Sequence, residues 1–221
     1  MNPATLIQFK PDTPWEHRSQ DNATSTWQHP CGDIASFHFF NIQPDIVTAP
    51  DSRGMPRIRQ IYRETLGEHG GIVSVEPVTI SSIKSIETIF KLQQKPTGMT
   101  YIASLTIPLR DFSFVVKFQC PEVGITGIRD AAIFLKLKPG LKFGANGVPR
   151  GWFKDPYAAI YDSQARYNLS DAAQYDVDFP DHPLSRARRH LGSLKTSLHV
   201  ETALADLPQF GESSKPRWKF W

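Results

Sequence analysis

Cysteine is scarce in this 221-residue chain: Cys31 and Cys120 are its only two. A disulfide-stapled small domain is therefore excluded, and a reducing, cytoplasmic compartment is expected. Long apolar runs are missing too. No stretch approaches the roughly 20 residues that a membrane-spanning helix needs. The opening Met1-Asn2-Pro3-Ala4-Thr5-Leu6-Ile7-Gln8-Phe9-Lys10 lacks a charged start followed by an apolar run, so neither a secretory signal nor a membrane is expected. Charge of one sign is also lacking: 25 Lys+Arg against 22 Asp+Glu leave a net charge of +3. A dedicated nucleic-acid domain gathers more base on one face, so nucleic acid is not the expected partner. What remains is an ordinary composition, 40% hydrophobic and 21% charged, suited to a globular domain with an appendage.

The charge is uneven along the chain. Asp155, Asp162, Asp171, Asp176, Asp178 and Asp181 face one base, Arg166, over residues 155–181. Arg186, Arg188, Arg189 and Lys195 then follow with no acid up to residue 200. Sequence neighbours pack together through short connections, so this acidic arm is expected to neutralise its own basic helix.

Periodicity gives the elements. Residues 10–30 are polar and proline-containing, an expected loop anchored by Trp15 and Trp27. Residues 34–40 alternate as a strand. Residues 55–69 carry Met55, Ile58, Ile61, Tyr62, Thr65 and Leu66 at helical spacing, with Gly70-Gly71 as the expected stop. Residues 72–80, 85–92, 100–107 and 112–119 read as strands joined by short turns, an antiparallel meander. Residues 126–137 read as a helix capped by Thr126, with Ile128, Ala131, Ala132 and Leu135 facing the core. The expected fold class is α+β: an antiparallel sheet of about five strands with both helices on its dry face. A C-terminal aromatic segment and helix 183–200, with Leu184, Ala187, Leu191, Leu194 and Leu198 as its stripe, pack on that sheet.

Glycine and proline crowd residues 139–151, the best boundary in the chain. The expected division is an extension over 1–26, a core domain over 27–138, a linker over 139–151, an appendage over 152–208 and a mobile tail over 209–221.

The strings Trp27-Gln28-His29-Pro30-Cys31-Gly32-Asp33 before a strand, the meander to Gln119, and Glu122-Val123-Gly124-Ile125-Thr126-Gly127-Ile128-Arg129 before a helix carry a resemblance over about residues 27–137. The layout resembles the Mog1/PsbP-like fold. That class includes Ran-binding proteins, photosystem-associated proteins and small bacterial adaptors of secreted toxins. The resemblance implies protein binding rather than catalysis. The strings Trp152-Phe153-Lys154-Asp155-Pro156-Tyr157 and Phe179-Pro180-Asp181-His182-Pro183-Leu184-Ser185-Arg186 look like those of uncharacterised bacterial proteins and imply no activity.

Three constellations carry candidate chemistry. Asp181 and His182, with Ser185 beyond, hold the residue types of a hydrolase, but five consecutive residues at a helix start seldom converge from the directions a triad needs. Capping of the helix by Asp181 or His182 accounts for the same residues. His29 and Cys31 supply two metal ligands where zinc needs three or four, so no metal and no cofactor are expected. Arg186, Arg188 and Arg189 suit phosphate or an acidic partner. With Trp152, Phe153, Asp155 and Tyr157 they form the expected partner-binding set, since aromatics and arginine dominate interface hot spots. The expected function is non-enzymatic binding of a protein, a toxin or secreted effector held by a bacterial immunity or adaptor protein. A hydrolase using His182 with an acid, and nucleic-acid binding by the basic helix, are the alternatives.

Overall fold

The computed structural model describes residues 2–144, 147, 149–157 and 167–211. Asp162, Arg166, Tyr161 and the expected tail beyond residue 211 lie outside them.

Seven strands build the main sheet: β2 (Glu16–Gln20), β3 (Thr24–Gln28), β4 (Ile34–Phe40), β5 (Gly70–Ile80), β6 (Ile83–Gln93), β7 (Met99–Pro108) and β8 (Ser113–Pro121). Their order is β2-β3-β4-β8-β7-β6-β5, antiparallel throughout. The five expected strands are β4 to β8. The additional two come from the stretch expected to be a loop; β2 lies within the expected extension 1–26, and β3 crosses its boundary with the expected core domain. Asp21 tightens their turn by accepting from the amides of Ala23 and Thr24. β2 is exposed along its whole length. An edge strand with both faces wet needs no apolar alternation, which is why its polarity concealed it. Pro77 sits in β5, the opposite edge, where a missing amide costs no ladder bond. Two short strands, β1 (Ile7–Phe9) and β9 (Leu198–Val200), pair separately and tie the two ends of the described chain together.

Alternation sorts the sheet into two faces. Tyr101, Ala103, Leu105 and Ile107 of β7 lie beside Cys120, Phe118, Val116 and Phe114 of β8, all buried in one cluster. Helix α3 (Pro183–Ser197) closes this face with Leu184, Ala187, Leu191 and Leu194. Each of those leucines contributes about 1.5–3 kcal/mol of transfer free energy before ordering costs. Helix α1 (Met55–Leu66) packs on the other face, where Met55 and Ile58 meet Ile72, Val75 and Ile86. It stops at Gly67, whose φ of +57° suits glycine, and not at Gly70-Gly71, which begin β5.

The expected placement of both helices on one dry face is therefore corrected. Helix α2 (Ile128–Leu137) packs on residues 169–171 and on Trp152, away from the sheet. It turns Arg129 and Ile133 inward. The expected stripe of Ile128, Ala131, Ala132 and Leu135 is exposed. Thr126 does not cap it; Gly127, at φ +75°, is the N-cap and supplies no side-chain bond. Among the described residues no helix is long and apolar enough to cross a membrane.

Candidate functional site

At one end of the sheet a cleft of about 360 Å³ opens between the loop after β8 and the segment entering α3. Glu122 builds its floor. One Glu122 oxygen accepts from the Met99 amide at 2.8 Å and the other from the Gly127 amide at 3.0 Å, which pins the loop to β7. Opposite stands His182, the N-cap of α3, whose Nδ1 accepts from the Leu184 amide at 3.2 Å. An accepting Nδ1 leaves the proton on Nε2. That atom lies 3.6 Å from Glu122 Oε1. Burial pushes the Glu122 carboxyl up, but the His182 bond and the two backbone amides outweigh it and hold the group below its usual value.

Arg129 and Arg186 close the back. Arg129 is fully buried, and four of its five N–H groups have partners. Its Nε donates to the Ser170 carbonyl at 2.8 Å, Nη1 to Asp176 at 2.9 Å and Ser185 Oγ at 2.8 Å, and Nη2 to the Ala172 carbonyl at 3.0 Å. Arg186 grips buried Asp33 from Nε at 2.9 Å and Nη2 at 2.8 Å. Cys31 stands on the rim, its Sγ 2.8 Å from His29 Nδ1. Burial raises the Cys31 thiol and lowers the His29 imidazole, so the pair rests neutral. A neutral thiol is a poor nucleophile, and this cysteine is not activated.

The rim is apolar and wet. Val123 is 74% exposed, Ile125 81%, Ile128 53% and Leu135, further along α2, 66%. The four line the outer side of one loop and the helix it enters.

The structure separates the hydrolase candidates. Asp181 is exposed and offers its backbone carbonyl to Arg186. His182 accepts from the Leu184 amide at Nδ1 and turns Nε2 toward Glu122, and Ser185 bonds Arg129 and Asp176. The three point in different directions. His182, not Asp181, caps the helix.

Most of the expected partner-binding set is engaged internally. Trp152 is buried with Ile133 and Tyr175. Asp155 accepts two bonds from Arg63 of α1, at 2.8 and 3.1 Å. Tyr157 donates to Glu76 at 2.5 Å, accepts from the Val75 amide at 2.8 Å, and lies under the Arg59 guanidinium at 3.9 Å. Arg188 forks onto Asp176 at 2.8 and 3.0 Å. The acidic arm thus neutralises the basic helix, in part as the charge pattern predicts. Phe153, 39% exposed, and Arg189, exposed with one bond to the Pro180 carbonyl, keep contact with solvent.

Sequence reading missed the buried polar network behind the cleft. Lys91 Nζ donates to Asp171 at 3.1 and 3.3 Å, and the Tyr101 hydroxyl donates to the same carboxylate at 3.2 Å. The signal was present: Lys91 shares its strand face with buried Ile89.

No family model matches the chain, and no curated protein does. Solved structures do resemble it. The Ran-binding protein Mog1p of Saccharomyces cerevisiae is 9% identical with a TM-score of 0.46, over 91% of this chain and 94% of that one. The PsbP protein of the cyanobacterium Synechocystis is 10% identical with a TM-score of 0.37, over 62% and 82%. A Bacteroides thetaiotaomicron protein is 13% identical with a TM-score of 0.35; 56% of this chain spans 41% of its length. These resemblances stand at 9–13% identity and TM-scores of 0.35–0.46.

Proposed function

We propose that the chain is a non-enzymatic binding protein whose partner is another protein. The observation that supports this is the apolar surface of Val123, Ile125, Ile128 and Leu135 beside the cleft. A helical stripe with the spacing of a core face is left in water, and such rimmed apolar patches mark interaction sites. Glu122, Arg129 and Arg186 beneath it are held by internal hydrogen bonds, which suits a rigid docking surface better than a reaction centre. The finer reading is a bacterial immunity or adaptor protein that holds a toxin or secreted effector in the cytoplasm. Both cysteines are free thiols, in keeping with a reducing compartment.

Affinity capture from a native lysate of the source cells, with wild type and an Ile125→Asp/Ile128→Asp double variant run in parallel, tests this. One stoichiometric protein is expected on the wild type and none on the variant, with unchanged circular dichroism. Equal retention by both, or a wild-type chain that elutes alone at every salt concentration, would overturn the reading. Capture of nucleic acid with a steep salt dependence would favour the basic helix instead.

A further inference from the structure

Behind the cleft, the turn between β3 and β4 meets the end of β8 and the middle of α3. There the fold gathers both cysteines, two histidines and a buried carboxylate. The ligand atoms of Asp33, Cys120 and His190 lie within 4.8 Å of one another. Asp33 and Cys120 are each 0% exposed. A tetrahedral zinc ion, with bonds near 2.0 Å to N or O and 2.3 Å to S, sets its ligand atoms roughly 3.3–3.5 Å apart. One edge of that tetrahedron is nearly set, with His190 Nε2 3.0 Å from Asp33 Oδ2, and the Cys120 sulfur lies within 4.8 Å of both. Cys31 stands outside that trio but two residues before Asp33 in the same turn, its Sγ 2.8 Å from His29 Nδ1.

We propose that this cluster binds one soft divalent transition-metal ion of the zinc class, with Asp33, Cys120 and His190 as three ligands and Cys31 as the fourth. The charges close. The ion's two positive charges and the Arg186 guanidinium meet two thiolates and one carboxylate, so the filled site is neutral. Arg186 is a supporting partner: its Nη2 holds Asp33 Oδ1 at 2.8 Å and its Nε holds Oδ2 at 2.9 Å, which fixes the carboxylate's orientation while Oδ2 also meets His190 Nε2 at 3.0 Å. The imidazoles are held as well. Trp15 packs edge-on against His29 and His190, each at 5.1 Å, and Phe118 stacks on His190 at 5.1 Å. Without the ion, burial keeps both thiols protonated. Coordination converts each to thiolate, which releases two protons per ion to solvent, and shifts the proton that His190 Nε2 donates to Asp33 onto Nδ1. The Cys31 proton has a relay in His29 Nδ1, 2.8 Å away.

The test adds Co²⁺ alone to the chelator-treated full chain. Saturation at one equivalent is expected, with thiolate charge-transfer and tetrahedral ligand-field absorption that Zn²⁺ then bleaches. Cys120→Ser should lose most of the charge-transfer band, and Cys31→Ser should weaken both band and uptake. Where circular dichroism shows Cys120→Ser unfolded, His190→Gln, at a partly exposed position, carries the test through an uptake about tenfold or more weaker, the scale on which even supporting groups act. Wild-type protein without the absorption, or folded ligand variants with undiminished uptake, would overturn the site and leave an internal ion pair between Asp33, Arg186 and His190.

Discussion

Lys91 and Asp171 show what a single residue can determine here. Both side chains are almost fully buried, at 2% and 0% exposure, and each is the other's nearest opposite charge. Asp171 also accepts from Tyr101 and from the Asn168 amide at 3.0 Å. Asp171→Ala would leave the buried ammonium only the more distant Asp130 carboxylate, at 3.7 Å, a loss of about 3 kcal/mol, the low end for a broken buried pair. Urea unfolding measures it; a loss below about 1 kcal/mol would mean that Asp130 or water replaces Asp171 at Lys91, as solvent does for surface pairs. The strand pattern exposed half of this arrangement. The spacing of Glu87, Ile89 and Lys91 put a charge on a face with apolar neighbours. Asp171, 80 residues away, could not be named as its partner, because no local rule connects a strand to a distant turn. Arg129 was hidden differently. It sits one position from an apolar stripe that looks like the buried side of α2, and only the tertiary contacts show that the arginine faces inward.

At the scale of elements, the meander and α1 were legible because each has one buried face, and burial imposes a period. β2 and β3 were not, since polar edge strands carry no such period. The inverted face of α2 follows from what covers it: Trp152, edge-on to the helix's own Phe134, and Tyr175, beside Ile133, cement it to the C-terminal segment. The docking of that segment on α1 and β5 has its own signature. Burial and the bond to Glu76 push the Tyr157 phenol up to about 12, against about 10 for a free tyrosine. The neutral phenol is therefore the form that the fold favours. Its stabilisation is complete below pH 10 and is lost as pH rises toward 12. Tyr157→Phe cannot ionise, so it should lose less stability than wild type between pH 10 and 12 in denaturant titrations. Parallel losses in the two proteins would show that Tyr157 is not held as described.

Across the described residues, charge is spent inward and apolar side chains are left outward, Val123, Ile125, Ile128 and Leu135 among them. Asp33, Asp171 and Asp176 consume Arg186, Lys91, Arg129 and Arg188, so the basic helix offers less free charge than its sequence suggests. The same balance explains why composition excluded a dedicated nucleic-acid domain and yet gave no partner. Neither composition nor period records which side of α2 remains uncovered. That uncovered side is the centre of the functional account. Hydrogen–deuterium exchange on the complex as purified, compared with the chain alone, tests it most directly. Slower exchange confined to residues 122–137 is the result the account requires; unchanged exchange there, with protection on another face, would contradict it.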